Sequence, residues 1–172
     1  MKNKWQFVIS STPEAGGGHM MRSISLAKAL SKYAEIHFIL DSGSEFWIDA
    51  LHDEGFAAEI VNKDNDLEID SLCDDYYGVL VDDYNVSLDK LLKWKGKCKK
   101  LAMIDDFGSA PNFVDYVISP SLLKSKKNNH KQVVMCGPKY ALLDPSFYNQ
   151  SKPAQRTVVK RILVSFGMFD SK

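Results

Sequence analysis

"SSTPEAGGGHMMRSISLAKAL", residues 10–30, sets the reading of this chain. It follows the apolar run "WQFVIS" (5–10), which predicts a strand. Gly16, Gly17 and Gly18 then run into His19, and Ile24, Ala27, Leu30 and Ala34 recur at the three-to-four spacing of a helix face. A helix N-terminus exposes unpaired N–H groups and the positive end of the macrodipole, which suits an anion. Glycines add close backbone approach and access to positive φ. Gly16, Gly17 and Gly18 are therefore expected to receive a phosphate or a crowded sugar. The same dipole end disfavours imidazolium, so a neutral His19 is expected, and a neutral imidazole can take a proton as a general base. Arg22, three residues on, shares its helical face. A flexible turn with a histidine at the helix start fits the same residue types equally simply.

Strand-like and helical patterns alternate along the rest of the chain. "EIHFIL" (35–40), "AAEIV" (57–61), "YGVLVDD" (77–83) and "KLAMIDD" (100–106) read as further strands. The stretch 44–55 puts Phe46, Ile48 and Leu51 on a helical period with Gly55 as a C-cap, and "SLDKLLKWKG" (87–96) has a serine cap and a terminal glycine. Continuous apolar strands between helices predict a parallel sheet in an α/β domain, Rossmann-like in class. The pairs Asp82-Asp83 and Asp105-Asp106 end neighbouring strands. Ligands of open α/β sheets bind beyond the carboxyl ends of strands, so both pairs are expected to face one crevice with the glycine turn.

The 172 residues are 45% apolar, enough for one core, and Lys+Arg and Asp+Glu balance at 22 each. No long-range field draws such a chain to nucleic acid or lipid. The basic run 122–131 lies in a polar stretch and reads as a solvated loop. Cys73, Cys98 and Cys136 lack CxxC spacing and read as reduced thiols. The N-terminal apolar run is too short for a signal peptide or a membrane span, so no membrane insertion and a cytoplasmic protein are expected. The polar stretch 148–160 reads as a linker, and "RILVSFG" (161–167) as the first strand of a second α/β unit after a domain at 1–147.

Other site chemistries fit less well. The GxGxxG pattern fails at Met21, although Asp41 stands where a ribose-binding acid is expected, and no Gly-Lys-Ser/Thr completes a P-loop. His19, His37, His52 and His130 form no ligand pair with each other or with cysteine, and zinc is not expected. Magnesium at the Asp pairs stays open beside their reading as turn and cap residues. No GxSxG context supports an acyl-transfer triad. No cofactor is implied.

Taken in order, "GGGHMMR" (16–22), "VDDY" (81–84), "IDD" (104–106), "GPKYALLDPSF" (137–147) and "ILVSFGMFD" (162–170) resemble the UDP-2,4-diacetamido-2,4,6-trideoxy-β-L-altropyranose hydrolases of pseudaminic acid biosynthesis and their spore-coat polysaccharide relatives. The resemblance implies the N-terminal domain of a GT-B architecture, with two Rossmann-like domains facing across a cleft, and a missing C-terminal domain that holds most of the uridine and diphosphate. It implies hydrolysis of a UDP-sugar, with water attacking the anomeric carbon and His19 as the base for that water. Tyr84 matches a tyrosine that positions sugar or water. Tyr140, Ala141 and Leu142 match a segment that returns to the cleft, and no metal is implied. The sequence departs from the family at Ser119-Pro120-Ser121, where asparagines are common, at Asp144 in place of arginine, and at Gly167-Met168 in place of a glycine pair. These departures leave the sugar open. A glycosyltransferase on the same fold and a non-catalytic nucleotide-sugar binding module are the alternative readings.

Overall fold

The computed structural model describes residues 2–62, 76–121, 131–148, 150, 158, 159 and 161–164. The order is β1 (Asn3–Ile9), α1 (Gly18–Leu30), β2 (Ala34–Asp41), α2 (Ile48–Asp53), β3 (Ala57–Val61), β4 (Gly78–Asp82), α3 (Leu88–Lys97), β5 (Lys100–Ile104), β6 (Tyr116–Ser119) and β7 (Val133–Cys136). The strands form one seven-stranded sheet in the order β3-β2-β1-β4-β5-β6-β7, and every neighbouring pair is parallel. The chain is thus an α/β domain with a Rossmann-like parallel sheet. Its order reverses between β1 and β4, so the switch point lies beside the glycine turn that follows β1.

Each face of the sheet carries its own apolar cluster, as parallel sheets require. Phe7, Ile9, Phe38, Leu40, Leu80 and Ile104 pack with Met20, Ile24 and Ala27 of α1 and Leu51 of α2. Val8, Ile39, Val79, Val81, Leu101 and Met103 pack on the other face with Leu91 and Trp94 of α3. The alternation is the two-residue strand period, so a residue's parity decides which face it serves.

Several local expectations change. Ala34 opens β2 instead of continuing the helix, which ends at Leu30. In the 44–55 stretch a 3₁₀ turn at Glu45–Trp47 precedes α2, rotating the pattern so that Trp47 is buried and Phe46 is exposed. Gly55 does end α2: at φ +81° it sends its N–H to the His52 carbonyl while the Phe56 N–H reaches Leu51, a paired closure that suits glycine. Gly96 lies inside α3, which runs one residue further and is capped at its start by Ser87 Oγ accepting from the Lys90 N–H. Ser119 is the last residue of β6, with Pro120 and Ser121 just beyond it, and β7 is a strand that the sequence reading does not include.

Residues 161–164 form no strand, and Ile162, Leu163 and Val164 are exposed. Gly167-Met168, Cys73, nearly all of the basic run, and most of the 148–160 stretch lie outside the described residues. Among the described residues no helix is long and apolar enough to cross a membrane.

Candidate functional site

The site grows from strand parity at the switch point. Ile9 of β1 pairs with Asp82 of β4, so their side chains share the sheet face that α1 covers. Asp82 is the last residue of β4 and is fully buried beneath the start of α1. Asp106 lies two residues past Ile104 and continues the same face. Asp83 and Asp105 have the opposite parity and serve turns instead. Asp83 Oδ1 accepts the Asn85 N–H, while Asp105 accepts the N–H groups of Phe107 and Ala110 and the Ser109 hydroxyl. The expectation that both acidic pairs face one crevice is therefore corrected: one carboxylate of each pair, Asp82 and Asp106, turns to the face that α1 covers, and Asp82 is buried there.

His19 is the second residue of α1, behind Gly17 as N-cap. Its Nδ1 lies 2.6 Å from Asp82 Oδ1, and Tyr84 packs edge-on against the imidazole with ring centroids 4.6 Å apart. A carboxylate can only accept, so the Nδ1 proton donates to Asp82 and the tautomer is set by that contact. Arg22 Nη2 sits 3.2 Å from the same Nδ1, a contact between two donors that Asp82 holds together. His19 makes its polar contacts through Nδ1, and no buried side-chain nitrogen or oxygen among the described residues lacks a partner. His19 is 7% exposed, and Nε2 is the ring nitrogen that takes no part in these contacts.

Arg22 links the ends of β4 and β5. Its Nε donates to Asp82 Oδ2 at 2.6 Å, Nη2 donates to Asp82 Oδ1, and Nη1 donates to Asp106 Oδ2 at 2.6 Å. Burial opposes the guanidinium charge, but Asp82 and Asp106 outweigh it and raise the Arg22 pKa further. Burial likewise works to raise the Asp106 carboxyl. The Tyr84 hydroxyl, which donates to Asp106 Oδ2, and the Arg22 guanidinium overcome this and hold the carboxyl below its usual range. Burial, then the bond to Asp106, push the Tyr84 phenol up, so it acts as a donor. Ser23 adds a 3.3 Å hydroxyl contact to Asp82 Oδ2. A cation at Asp82 and Asp106 would have to displace the guanidinium already bound there.

The glycine turn meets its expectation only in part. Gly16 has φ +75°, whereas Gly17 has φ −79° and Gly18 is helical. A Cβ on Gly16 or Gly18 would meet nothing within 4 Å, so open space lies in front of the turn. Asp41 is engaged locally, with Oδ2 accepting the Ser11 N–H at 3.2 Å.

The 140–142 segment does not join this cluster. Tyr140 packs on the Lys139 ammonium, and Leu142 lies with Ser25, Leu26 and Ala29 further along α1. Asp144 explains part of that placement: its carboxylate is 3.4 Å from Lys28 Nζ, where an arginine would meet a like charge. Leu142 thus lies along the flank of α1, beside Ser25, Leu26 and Ala29. Sequence reasoning missed two neighbours, Ser23 under Asp82 and Phe107, whose ring meets Tyr84 edge-to-face at 4.9 Å. An aromatic residue directly after the second acidic pair was the available signal for Phe107.

The arrangement can orient an imidazole through Nδ1 at the start of a helix, behind a glycine turn with open space in front of it. No family model matches the chain. It is 29% identical over 182 aligned positions to "Uncharacterized protein MJ1062" of Methanocaldococcus jannaschii, an alignment that takes in 97% of this chain and 37% of that protein. The chain thus spans little more than a third of that relative's length. Solved structures that align with it include "AtPrR2 in apo form", with TM-score 0.48, 12% identity and coverage of 69% of this chain and 48% of that one, and UDP-N-acetylglucosamine 4-epimerase from Methanobrevibacter ruminantium M1 in complex with UDP-N-acetylmuramic acid, with TM-score 0.42, 17% identity and coverage of 83% and 47%.

Proposed function

We propose that this chain carries the catalytic wall of a UDP-sugar hydrolase of surface-polysaccharide or nonulosonic acid biosynthesis. The observation that carries the reading is His19 at the start of α1, its Nδ1 held by the buried Asp82, with open space in front of the glycine turn before it. The motif resemblance supports the substrate class. In this reading Nε2 takes a proton from water as the water oxygen attacks the anomeric carbon. The bond from that carbon to the diphosphate oxygen breaks, UDP leaves with the electron pair, and the anomeric centre inverts. Asp82 fixes the proton on Nδ1 and stabilises the imidazolium that forms, a positioning role. Gly16, Gly17 and Gly18 admit the diphosphate to the helix N-terminus. Tyr84 and Asp106 face the sugar or the water, and Arg22 holds the carboxylates in register.

A second domain beyond the polar stretch 148–160 forms the opposite wall in this proposal, which agrees with a relative of which this chain spans 37%. The proposed setting is cytoplasmic, in keeping with the free thiols of Cys98 and Cys136. The test is UDP release from UDP-sugars by the full-length protein and its His19→Ala variant. Turnover should fall about 10²–10⁴-fold, the range for a lost general base, while nucleotide-sugar binding changes little. Undiminished turnover in the variant, or no release by the wild type, overturns the assignment.

A further inference from the structure

Phe107 is two-thirds exposed, an unusual position for a phenylalanine beside a polar cluster. The loop that presents it is fixed. The fully paired Asp105 carboxylate, 2% exposed, accepts the Phe107 N–H at 3.1 Å, the Ser109 hydroxyl at 3.2 Å and the Ala110 N–H at 2.7 Å. Gly108, at φ +73°, makes the turn. The ring then leans edge-to-face on Tyr84, which itself leans on His19. Three rings therefore form a continuous line from the imidazole outward, and the carboxylate of Asp106 lies beside it. These hydrogen bonds hold the backbone that presents the ring, and the ring itself is oriented by its contact with Tyr84.

A rigid apolar ring next to a carboxylate and a phenol matches the surface of a pyranose, with C–H groups on its faces and hydroxyls around its rim. We infer that Phe107 is a specificity-determining residue that stacks on the apolar face of the substrate's sugar ring, while Asp106 and Tyr84 take hydroxyl or amide groups at its rim. The inference rests on the nucleotide-sugar reading and adds where the sugar lies: outward from His19 over β5, with the diphosphate toward the glycine turn. A merely structural Phe107 would affect folding and leave the sugar and nucleotide parts of the ligand indistinguishable.

The test is calorimetric titration of the full-length protein with UDP-N-acetylglucosamine, UDP-glucose and UDP, using wild type, Phe107→Ala and Phe107→Tyr. Phe107→Ala should weaken the UDP-sugars about tenfold, as expected for a lost ring contact and its buried area, and leave UDP unchanged. Phe107→Tyr should restore most of the sugar affinity. Equal weakening of UDP and UDP-sugars, no weakening of either, or wild-type affinity for the sugars no better than for UDP each overturns the stacking role. Wild type that binds UDP but shows no sugar preference refutes this inference alone. Wild type that binds none of the three refutes the nucleotide-sugar reading along with it.

Discussion

Replacing Asp82 by asparagine tests the centre of the site with almost no change in shape. The Asp82 carboxylate serves donors on both oxygens: Oδ1 faces His19 Nδ1 and Arg22 Nη2, and Oδ2 faces Arg22 Nε and Ser23 Oγ. An amide has one acceptor oxygen, so one side must present its NH₂ to a donor. If the NH₂ faces His19, Nδ1 must accept, the proton moves to Nε2, and the Nε2 lone pair disappears. If it faces Arg22 Nε, a guanidinium loses its bidentate partner in a buried place. Breaking a buried charge pair costs about 3–5 kcal/mol. Arg22 keeps Asp106 and is 18% exposed, so a loss of about 2–3 kcal/mol is expected after that discount, in line with charged hydrogen bonds. Urea denaturation measures this loss, and long-range ¹H–¹⁵N NMR at mildly alkaline pH reads the tautomer. Wild type should carry its His19 proton on Nδ1. A wild-type Nε2–H tautomer, or a stability change below about 0.5 kcal/mol, would refute the reasoning.

Two glycine substitutions should act in opposite directions. A Cβ at Gly78 would lie 2.7–2.8 Å from three Trp5 ring atoms, so Gly78→Ala should cost about 1–3 kcal/mol, whereas Gly96→Ala inside α3 meets nothing within 4 Å and should add about 0.5–1 kcal/mol; both are read by urea denaturation. His37 gives a pH signature. Burial, with Lys4 adding to it against Glu59 and Glu35, lowers its pKa below 6.5, so the unfolded chain binds its proton first. Stability should be full above about pH 6.5 and fall as pH drops toward the depressed folded value, and His37→Gln should flatten that part of a stability-versus-pH curve.

The sheet was legible in the sequence where strands are buried on both faces. β1, β4 and β5 carry largely apolar runs, and their glycine-rich or acidic ends come out together on one edge of the parallel sheet. β7 was missed because "VVMC" is four residues long, lies at the sheet edge and leaves Val133 half exposed. The expected Phe46 face failed because a 3₁₀ turn changes the angular step per residue before α2 begins. Within the site, His19 at a helix start was readable from the glycine run and the helical period behind it. Which aspartate of each pair turns inward was recoverable from strand parity alone, since Asp82 and Asp106 continue the even positions Leu80 and Ile104. The link from Arg22 to both carboxylates was not readable, because it joins residues distant in sequence through three elements. Neither was the place of Leu142 along α1, which depends on where β7 ends and on the Lys28–Asp144 pair.

The pairing of β1 with β4 across the switch point also governs when the site comes into being. His19 and Asp82 are 63 residues apart, and Arg22 and Asp106 are 84 apart. Neither contact can form until a long loop has closed, and that closure is opposed by chain entropy until the central sheet is in place. During synthesis, β1, α1, β2, α2 and β3 emerge and can begin to associate while α1 still lacks its buried acceptor. The histidine gains its orientation only when β4 enters between β1 and the ribosome-proximal chain, and Arg22 gains its second carboxylate after β5 has followed. The local order of His19 is therefore a late event in folding. A nascent chain stopped before residue 82 has left the ribosome should hold an imidazole with no fixed tautomer, whatever the state of the helix around it.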